Sequence, residues 1–292
     1  MKQKRKRNCC LLMITAMIWG AAFVAQSIGM DYIGPYTFNA IRFLIGGIVL
    51  LPMVKKQTQE KSHGSKMPLL IGGLCCGMAL CMASCLQQMG IVYTTVGKAG
   101  FITAMYIVIV PLLRMMMGKK SGWSVWISVF LAVVGLYYLC MTESFTIGRG
   151  DVYVLLCAGI FSVHILLVDH FSPLVNGVTL SCIQFFVSGG VAAVAAFLWE
   201  TPDLTSILSA WAPLLYAGVL SSGVGYTLQV IGQKGVDPVI ASLILSLESV
   251  FSVLAGWIIL GQKLSMREWA GCVLMAVAIV LAQCPSPDPK SD

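Results

Sequence analysis

Long apolar runs separated by short polar clusters set the pattern of this chain. A helix that crosses a bilayer needs about 20 mostly apolar residues, because the hydrocarbon core is roughly 30 Å thick and a helix rises about 1.5 Å per residue. Ten segments have that character: 9–28, 35–54, 68–89, 97–117, 122–141, 151–169, 177–198, 209–231, 237–260 and 267–283. They take up about two-thirds of the sequence, and the connections are too short for a soluble domain. The segment ending near Ile231 is the weakest, because it carries Ser, Gly and Gln. The first run follows a basic head, but its small-residue cleavage pattern is unclear and nine more runs follow, so it reads as a helix and not a removable signal.

Composition agrees with the pattern. Of 292 residues, 58% are hydrophobic and 11% are charged, against roughly 25% charged in a soluble domain. The mean hydropathy is +0.87. Such a chain cannot cover a soluble surface with polar groups. A soluble enzyme, a nucleic-acid-binding domain and a disordered chain are all excluded. The fold class expected is an all-α integral membrane protein, with the lipid bilayer as its solvent.

Charge then orients the helices. With the N-terminal MKQKRKR in the cytoplasm, ten spans return the C-terminus to the same side. Lys2, Lys4, Arg5, Lys6, Arg7, Lys55, Lys56, Lys61, Lys66, Arg114, Lys119, Lys120, Lys234 and Lys290 then lie inside. Lys98, Arg149, Lys263 and Arg267 lie outside, and Arg42 falls within the second helix. A split of 14 to 4 is a strong positive-inside signal. The first half carries it, since the second half is nearly neutral in bias, with Lys234 and Lys290 inside against Arg149, Lys263 and Arg267 outside. The expected location is the cytoplasmic (inner or plasma) membrane, with both termini cytoplasmic. The net charge of +7 is accounted for by this topology signal and by attraction to anionic head groups. No nucleic-acid partner is needed to explain it.

The 11 cysteines sit mostly in apolar surroundings, four of them (Cys75, Cys76, Cys81, Cys85) in the third segment. Free Cys packs as a small hydrophobe, and His63, His164 and His170 are not placed to turn that cluster into a metal site. No metal and no cofactor are expected.

The chain divides near Gly148–Gly150 into two halves of five segments. Residues 86–117 lie on residues 228–259 without a gap, with seven identities in 32 positions, among them Leu86 with Leu228, Gln87 with Gln229 and Gly90 with Gly232. A shift of one residue then pairs Gly118 with Gly261, Lys120 with Lys263 and Trp126 with Trp269. Because five is odd, the second half enters the membrane from the opposite side, and the halves are inverted. Inverted repeats are a common architecture of secondary transporters. No GxxxxGK[ST] loop for ATP is present. The units expected are residues 1–147 and 148–292.

The segments AGFITAMYIVIVPLL (99–113) with GKK, LILSLESVFSVLAGWIILGQKLSMREWAG (243–271), IWGAAFVAQ (18–26), FNAIRFLIGGIVLLP (38–52) and HILLVDHFS (164–172) resemble the EamA-type members of the drug/metabolite transporter superfamily. The resemblance spans essentially the whole chain. It implies ten helices in two inverted five-helix repeats around a central cavity, and export or exchange of small metabolites. Residue by residue it reaches Trp19, Arg42, Pro111, Glu248 and Trp269. The chain departs from the family pattern at Gly118-Lys119 and Gly261-Gln262, where Gly-Glu is common, and at Ser249, where Pro is common. Those departures bear on loop ion pairs and helix bending. The resemblance names no substrate.

The polar residues inside the apolar segments are the candidate cavity or coupling groups. Glu248 stands halfway along the ninth segment. Insertion scales put an ionised side chain there at roughly +2.5 to +3.5 kcal/mol, so it must face a cavity or a partner. It can be a proton-coupling group or a structural carboxyl that ties helices together. Arg42 can snorkel to the interface or grip a substrate carboxylate or phosphate. His164 can carry a proton or bond a backbone carbonyl. Gln87 and Gln88 are adjacent and point in different directions, so at most one faces a cavity; Gln88 is the candidate taken. Tyr106, Gln184 and Gln229 add hydrogen-bonding groups, and Trp19 an apolar wall. Pro111 removes a backbone donor and predicts a helix kink.

The reading is therefore a secondary transporter for amino-acid-like or amphiphilic small molecules, working by alternating access, with proton coupling open. It is not expected to be an enzyme, since no His/Asp/Glu set converges near one membrane face. A non-transporting scaffold or channel is the alternative, with a membrane-embedded enzyme ranked after it. A monomer suffices; the oligomeric state is not specified.

Overall fold

A computed structural model describes residues 2–59, 66–119, 122–140, 147–260 and 265–283. Lys61, His63, Lys120, Lys263, Lys290, Cys284 and the Gly261–Gln262 pair lie outside the described residues. The described residues form helices and connecting turns, with no strand among them. The helices are α1 (Lys2–Gly29), α2 (Pro35–Gln59), α3 (Lys66–Tyr93), α4 (Val96–Thr103), α5 (Tyr106–Met116), α6 (Trp123–Cys140), α7 (Arg149–Phe171) and α8 (Gly177–Trp199). The short α9 (Leu204–Ser209) and α10 (Trp211–Leu215) lead into a π-helix (Tyr216–Tyr226) and α11 (Thr227–Gln233). The chain closes with α12 (Pro238–Leu245), α13 (Glu248–Leu260) and α14 (Met266–Gln283).

Eight helical stretches among the described residues are long and apolar enough to cross a membrane, the last being Trp211–Gln233. Residues 238–254 form a shorter apolar stretch. Helix α1 starts seven residues earlier than the apolar run, at Lys2, so the basic head is part of the helix. Two expected spans are interrupted. The span 97–117 breaks between α4 and α5 at Ala104–Met105, and 237–260 breaks between α12 and α13 at Ser246–Leu247. Pro111 lies within α5, one turn and more beyond the first break. The matching break in the second half has Val253 where the first has Pro111. Proline is therefore not what the two breaks share.

Helix ends follow ordinary capping chemistry. Thr95 caps α4, Asn176 caps α8 and Asp237 caps α12, each side-chain oxygen meeting otherwise unpaired N–H groups. Pro238 occupies the first turn of α12, where a missing N–H is harmless. Gly118, at φ 78°, lets the chain turn after α5. Asp203 caps α9 by accepting the Ser206 N–H and hydroxyl, which hold its carboxyl below the usual range.

The element limits repeat along the chain. Pro35 and Gly177 open α2 and α8, Val96 and Pro238 open α4 and α12, and Tyr106 and Glu248 open α5 and α13; the members of each pair stand 142 residues apart. Packing repeats as well. Helix α2 lies on its counterpart α8, and α6 on α14. Helix α3 lies on α7, while α1 lies on the π-helix and α11. At the α6–α14 crossing a Cβ on Gly135 would come 3.0 Å from the Gly271 carbonyl, and one on Gly271 would come 2.7 Å from the Gly135 carbonyl. Small residues allow this backbone approach in lipid.

The polarity is inside out. Asn39, Arg42, Gln87, Gln88, His164, Gln184 and Glu248 are buried, whereas Met17, Ile48, Phe130, Leu155, Phe197 and Val273 are exposed. An apolar outer face suits hydrocarbon contact, and the polar groups are kept for the interior.

One contact clamps the start of α2. The Glu200 carboxylate, just past α8, accepts the N–H groups of Tyr36 and Thr37 at 2.9 and 2.8 Å and the Thr37 hydroxyl at 2.6 Å. A carboxylate at a helix N-terminus satisfies bare donors and opposes the helix dipole. Glu200→Ala is expected to cost about 1–3 kcal/mol, from the usual worth of hydrogen bonds to charged groups. A detergent-solubilised thermal melt that stays at the wild-type Tm rules this clamp out as a stabiliser.

Candidate functional site

Each interrupted span places its break deep among the other helices. The break leaves Thr103 and Tyr106 of the first half and Leu245 and Glu248 of the second on the wall of one internal cavity. Tyr106 and Glu248 hold equivalent positions, 142 residues apart, and they touch: the Tyr106 hydroxyl donates to Glu248 Oε1 at 3.2 Å. The cavity thus sits where positions 142 residues apart come together. Gln87 and Gln229, another equivalent pair, also line it, as do Trp19 with Phe161 and Phe23 with Ile165. The space open to the centre of a water-sized sphere is about 30 Å³. That admits about two waters, too little space for a metabolite.

Arg42 of α2 lines the cavity and is 1% exposed. Its Nη1 donates to Gln26 Oε1 at 3.3 Å, and its guanidinium carbon stands 4.6 Å from the Phe43 ring centroid, a cation–π distance. Its Nε and Nη2 have no protein partner. The Gln26 side-chain amide donates to the Ala22 carbonyl, and its backbone carbonyl accepts from Gln88 Nε2.

The π-helix supplies the opposite wall. It contributes Ser221 and Tyr226 to the lining, and π segments frequently sit at functional sites. The Ser221 carbonyl accepts from Trp19 Nε1 at 3.3 Å, and the Gly225 carbonyl from the Thr15 hydroxyl. The rings of Trp19 and Tyr226 stand 4.5 Å apart between centroids. The Ser/Gly-rich character that makes this the weakest apolar segment is the sequence trace of the π-helix.

Five of the residues singled out by sequence meet at the cavity: Glu248, Arg42, Trp19, Tyr106 and Gln229. Three stand elsewhere. Gln88 is fully buried against the Gln26 backbone, and its neighbour Gln87 takes the cavity position, bonded to the Thr103 hydroxyl at 3.2 Å. His164 Nε2 and Gln184 Oε1 pair with each other at 3.2 Å, away from the lining. Gln184 is the equivalent of Arg42, so each half carries a polar pair between its first two helices. Phe161, Ser221 and Tyr226 were not singled out; aromatic and small residues in apolar helices read as packing until the helices are assembled.

Ion pairs lie beyond the cavity at two loop regions. Lys98 pairs with Asp151, which also accepts the Thr94 hydroxyl and the Gly148 N–H. Arg114 pairs with Asp237. Each joins one half to the other.

The comparisons with known proteins agree with this assembly. The EamA-like transporter family model matches twice, over residues 6–141 and 148–283. A protein of Archaeoglobus fulgidus named "uncharacterized transporter" is 31% identical over 280 residues, covering 92% of this chain and 83% of its own. "Uncharacterized transporter YwfM" of Bacillus subtilis is 27% identical over 282 residues, covering 92% and 91%. A solved crystal structure superposes with a TM-score of 0.78 at 16% identity, covering 95% of this chain and 96% of its own, which establishes a shared fold. Multiple apolar helices, a buried polar cavity and a family match over both halves make the chain a multi-pass membrane protein that belongs to the EamA-like transporter family.

Proposed function

We propose that this chain is a secondary transporter that exports or exchanges small, amino-acid-like or amphiphilic metabolites across the cytoplasmic membrane by alternating access. In this reading residues 1–147 and 148–292 are two inverted five-helix units. They form ten spans: α4 with α5 makes one, α10 to α11 another, and α12 with α13 a third. Both termini are cytoplasmic. The observation that carries the reading is the small buried cavity at the Tyr106–Glu248 contact, lined by residues that stand 142 positions apart along the chain. Exchanging the conformations of two similar halves about that contact opens the site to one side or the other. On this topology Lys98–Asp151 is the external closure and Arg114–Asp237 the cytoplasmic one. Breaking one at a time gives the two open states. One chain builds the whole cavity, so a monomer suffices.

Glu248 is the candidate coupling group. A carboxyl that exchanges a proton between the two open states would link solute movement to a proton gradient. The test is purified protein in liposomes, scanned with amino acids, nucleosides, sugars and amphiphilic cations, with and without a pH gradient. Saturable flux of one class above empty liposomes is expected. Leakage that does not saturate with any solute overturns the transporter in favour of a channel or scaffold.

Topology has its own prediction. On a Cys-depleted background, a single Cys at position 4 is expected to resist an impermeant thiol reagent in intact cells, and one at position 147 to react. Labelling of position 4 from outside sinks the arrangement.

A further inference from the structure

We propose that Arg42 reads a carboxylate, and that the solute taken up in the cavity is a monocarboxylate with an apolar body. This rests on the transporter reading above and sharpens it. The guanidinium has five N–H donors and no acceptor. One nitrogen, Nη1, bonds Gln26, and the other two, Nε and Nη2, have no protein partner. Those two nitrogens share one edge of the guanidinium. That edge is the fork that meets both oxygens of a carboxylate in parallel. A side chain that is 1% exposed inside a membrane helix bundle keeps such a bare edge at a cost. An entering anion removes the cost.

The surroundings hold the fork in place. Gln26 is pinned by Ala22 and Gln88 and fixes one side, while the Phe43 ring lies 4.6 Å from the guanidinium carbon. No ion pair to a protein carboxylate occupies Arg42 among the described residues. The charge of the ligand follows from the lining. Among the described residues Arg42 is the one Lys or Arg on the wall and Glu248 the one carboxyl. When Glu248 carries its proton, the one cation balances a monoanion, whereas a phosphate dianion leaves excess negative charge beside that carboxyl. The remaining wall is largely aromatic, from Trp19, Phe23, Phe161 and Tyr226, which fits an apolar body.

The test uses one body with different heads: 3-phenylpropionate, phenylalanine, phenylalaninamide, 3-phenylpropanol and phenyl phosphate. Two readouts are taken on full-length protein. One is the Tm shift in detergent, which needs no transport. The other is uptake into liposomes. The two carboxylates are expected to raise Tm and to be taken up, with the amide and the alcohol about tenfold or more weaker, the scale of a lost charge-assisted hydrogen bond. Equal response to phenylalanine and 3-phenylpropionate makes the carboxylate sufficient. Response to phenylalanine alone adds an ammonium contact and keeps the carboxylate requirement. Arg42→Gln is expected to abolish the Tm response and Arg42→Lys to retain a weakened one. The wild-type comparison stands even where a variant does not fold. An amide or alcohol as effective as the carboxylates, preference for phenyl phosphate, no carboxylate raising Tm, or carboxylate preference persisting in Arg42→Gln overturns the assignment. A carboxylate-specific Tm shift without uptake upholds Arg42 and overturns the transporter reading instead.

Discussion

Glu248→Gln is expected to reach the membrane and fold like the wild type, yet to lose the dependence of flux on a pH gradient. The amide keeps the shape of the carboxyl and an acceptor oxygen for the Tyr106 hydroxyl 3.2 Å away. What it removes is the group that gains and loses a proton. With an uphill gradient imposed, flux should fall to the level seen without one, while counterflow between equal pools persists. Glu248→Leu separates this from a structural role. It deletes the acceptor and strands the buried Tyr106 hydroxyl, a loss of about 1–3 kcal/mol, and should lower folded yield. Gradient-driven flux that survives in the Gln variant, normalised to folded protein, removes Glu248 from coupling and leaves it as a tie between the two halves.

The second large effect is expected at Gly20. A Cβ there would stand 2.8 Å from the Glu248 carbonyl, 2.8 Å from the Ser252 amide nitrogen and 2.9 Å from the Phe251 Cβ. Two of these are backbone atoms that cannot swing aside. Helix α1 therefore approaches the first turn of α13 at a distance only glycine allows. Overpacking of this kind typically costs about 1–3 kcal/mol. Gly20→Ala should lower Tm and Gly20→Leu should lower it further. Because the displaced turn carries Glu248, transport by the folded fraction should fall as well. Gly190, which has open space around its Cβ position, is the control: Gly190→Ala should leave Tm and transport near wild type. A Gly20→Ala protein that melts and transports like the wild type would mean that α13 shifts freely and does not fix the site.

The duplication shows how far the sequence reaches. The gapless register between residues 86–117 and 228–259 sets Tyr106 opposite Glu248 and Gln87 opposite Gln229. The helix starts, the broken spans and the family match all follow the same spacing. The register itself does not say that Tyr106 and Glu248 touch. Which residues of two matching stretches meet is decided by how the helices pack, not by their spacing along the chain. Nor does hydropathy reveal the breaks at Ala104–Met105 and Ser246–Leu247, since a helix interrupted by a single turn is as apolar as a continuous one.

The sequence alone determined the class of this protein. Too few charged residues to clothe a soluble surface, apolar runs of spanning length and basic clusters between them are one-dimensional properties, fixed by the thickness and dielectric of a bilayer. It also determined that Glu248 needs a cavity or a partner, because hydrocarbon gives a charge nothing to bond; it leaves Arg42 free to reach the interface or to turn inward, and the fold turns it inward. Only the tertiary structure decided which polar residues share that interior. Consecutive helical residues point about 100° apart, so the rotation of α3 in the bundle chooses Gln87 over Gln88 for the cavity. Packing of α7 on its neighbours likewise turns His164 to Gln184 and away from the site. The same packing buries the guanidinium edge of Arg42 without a partner. Burial is a property of the assembled helices, and no residue carries it in its own identity.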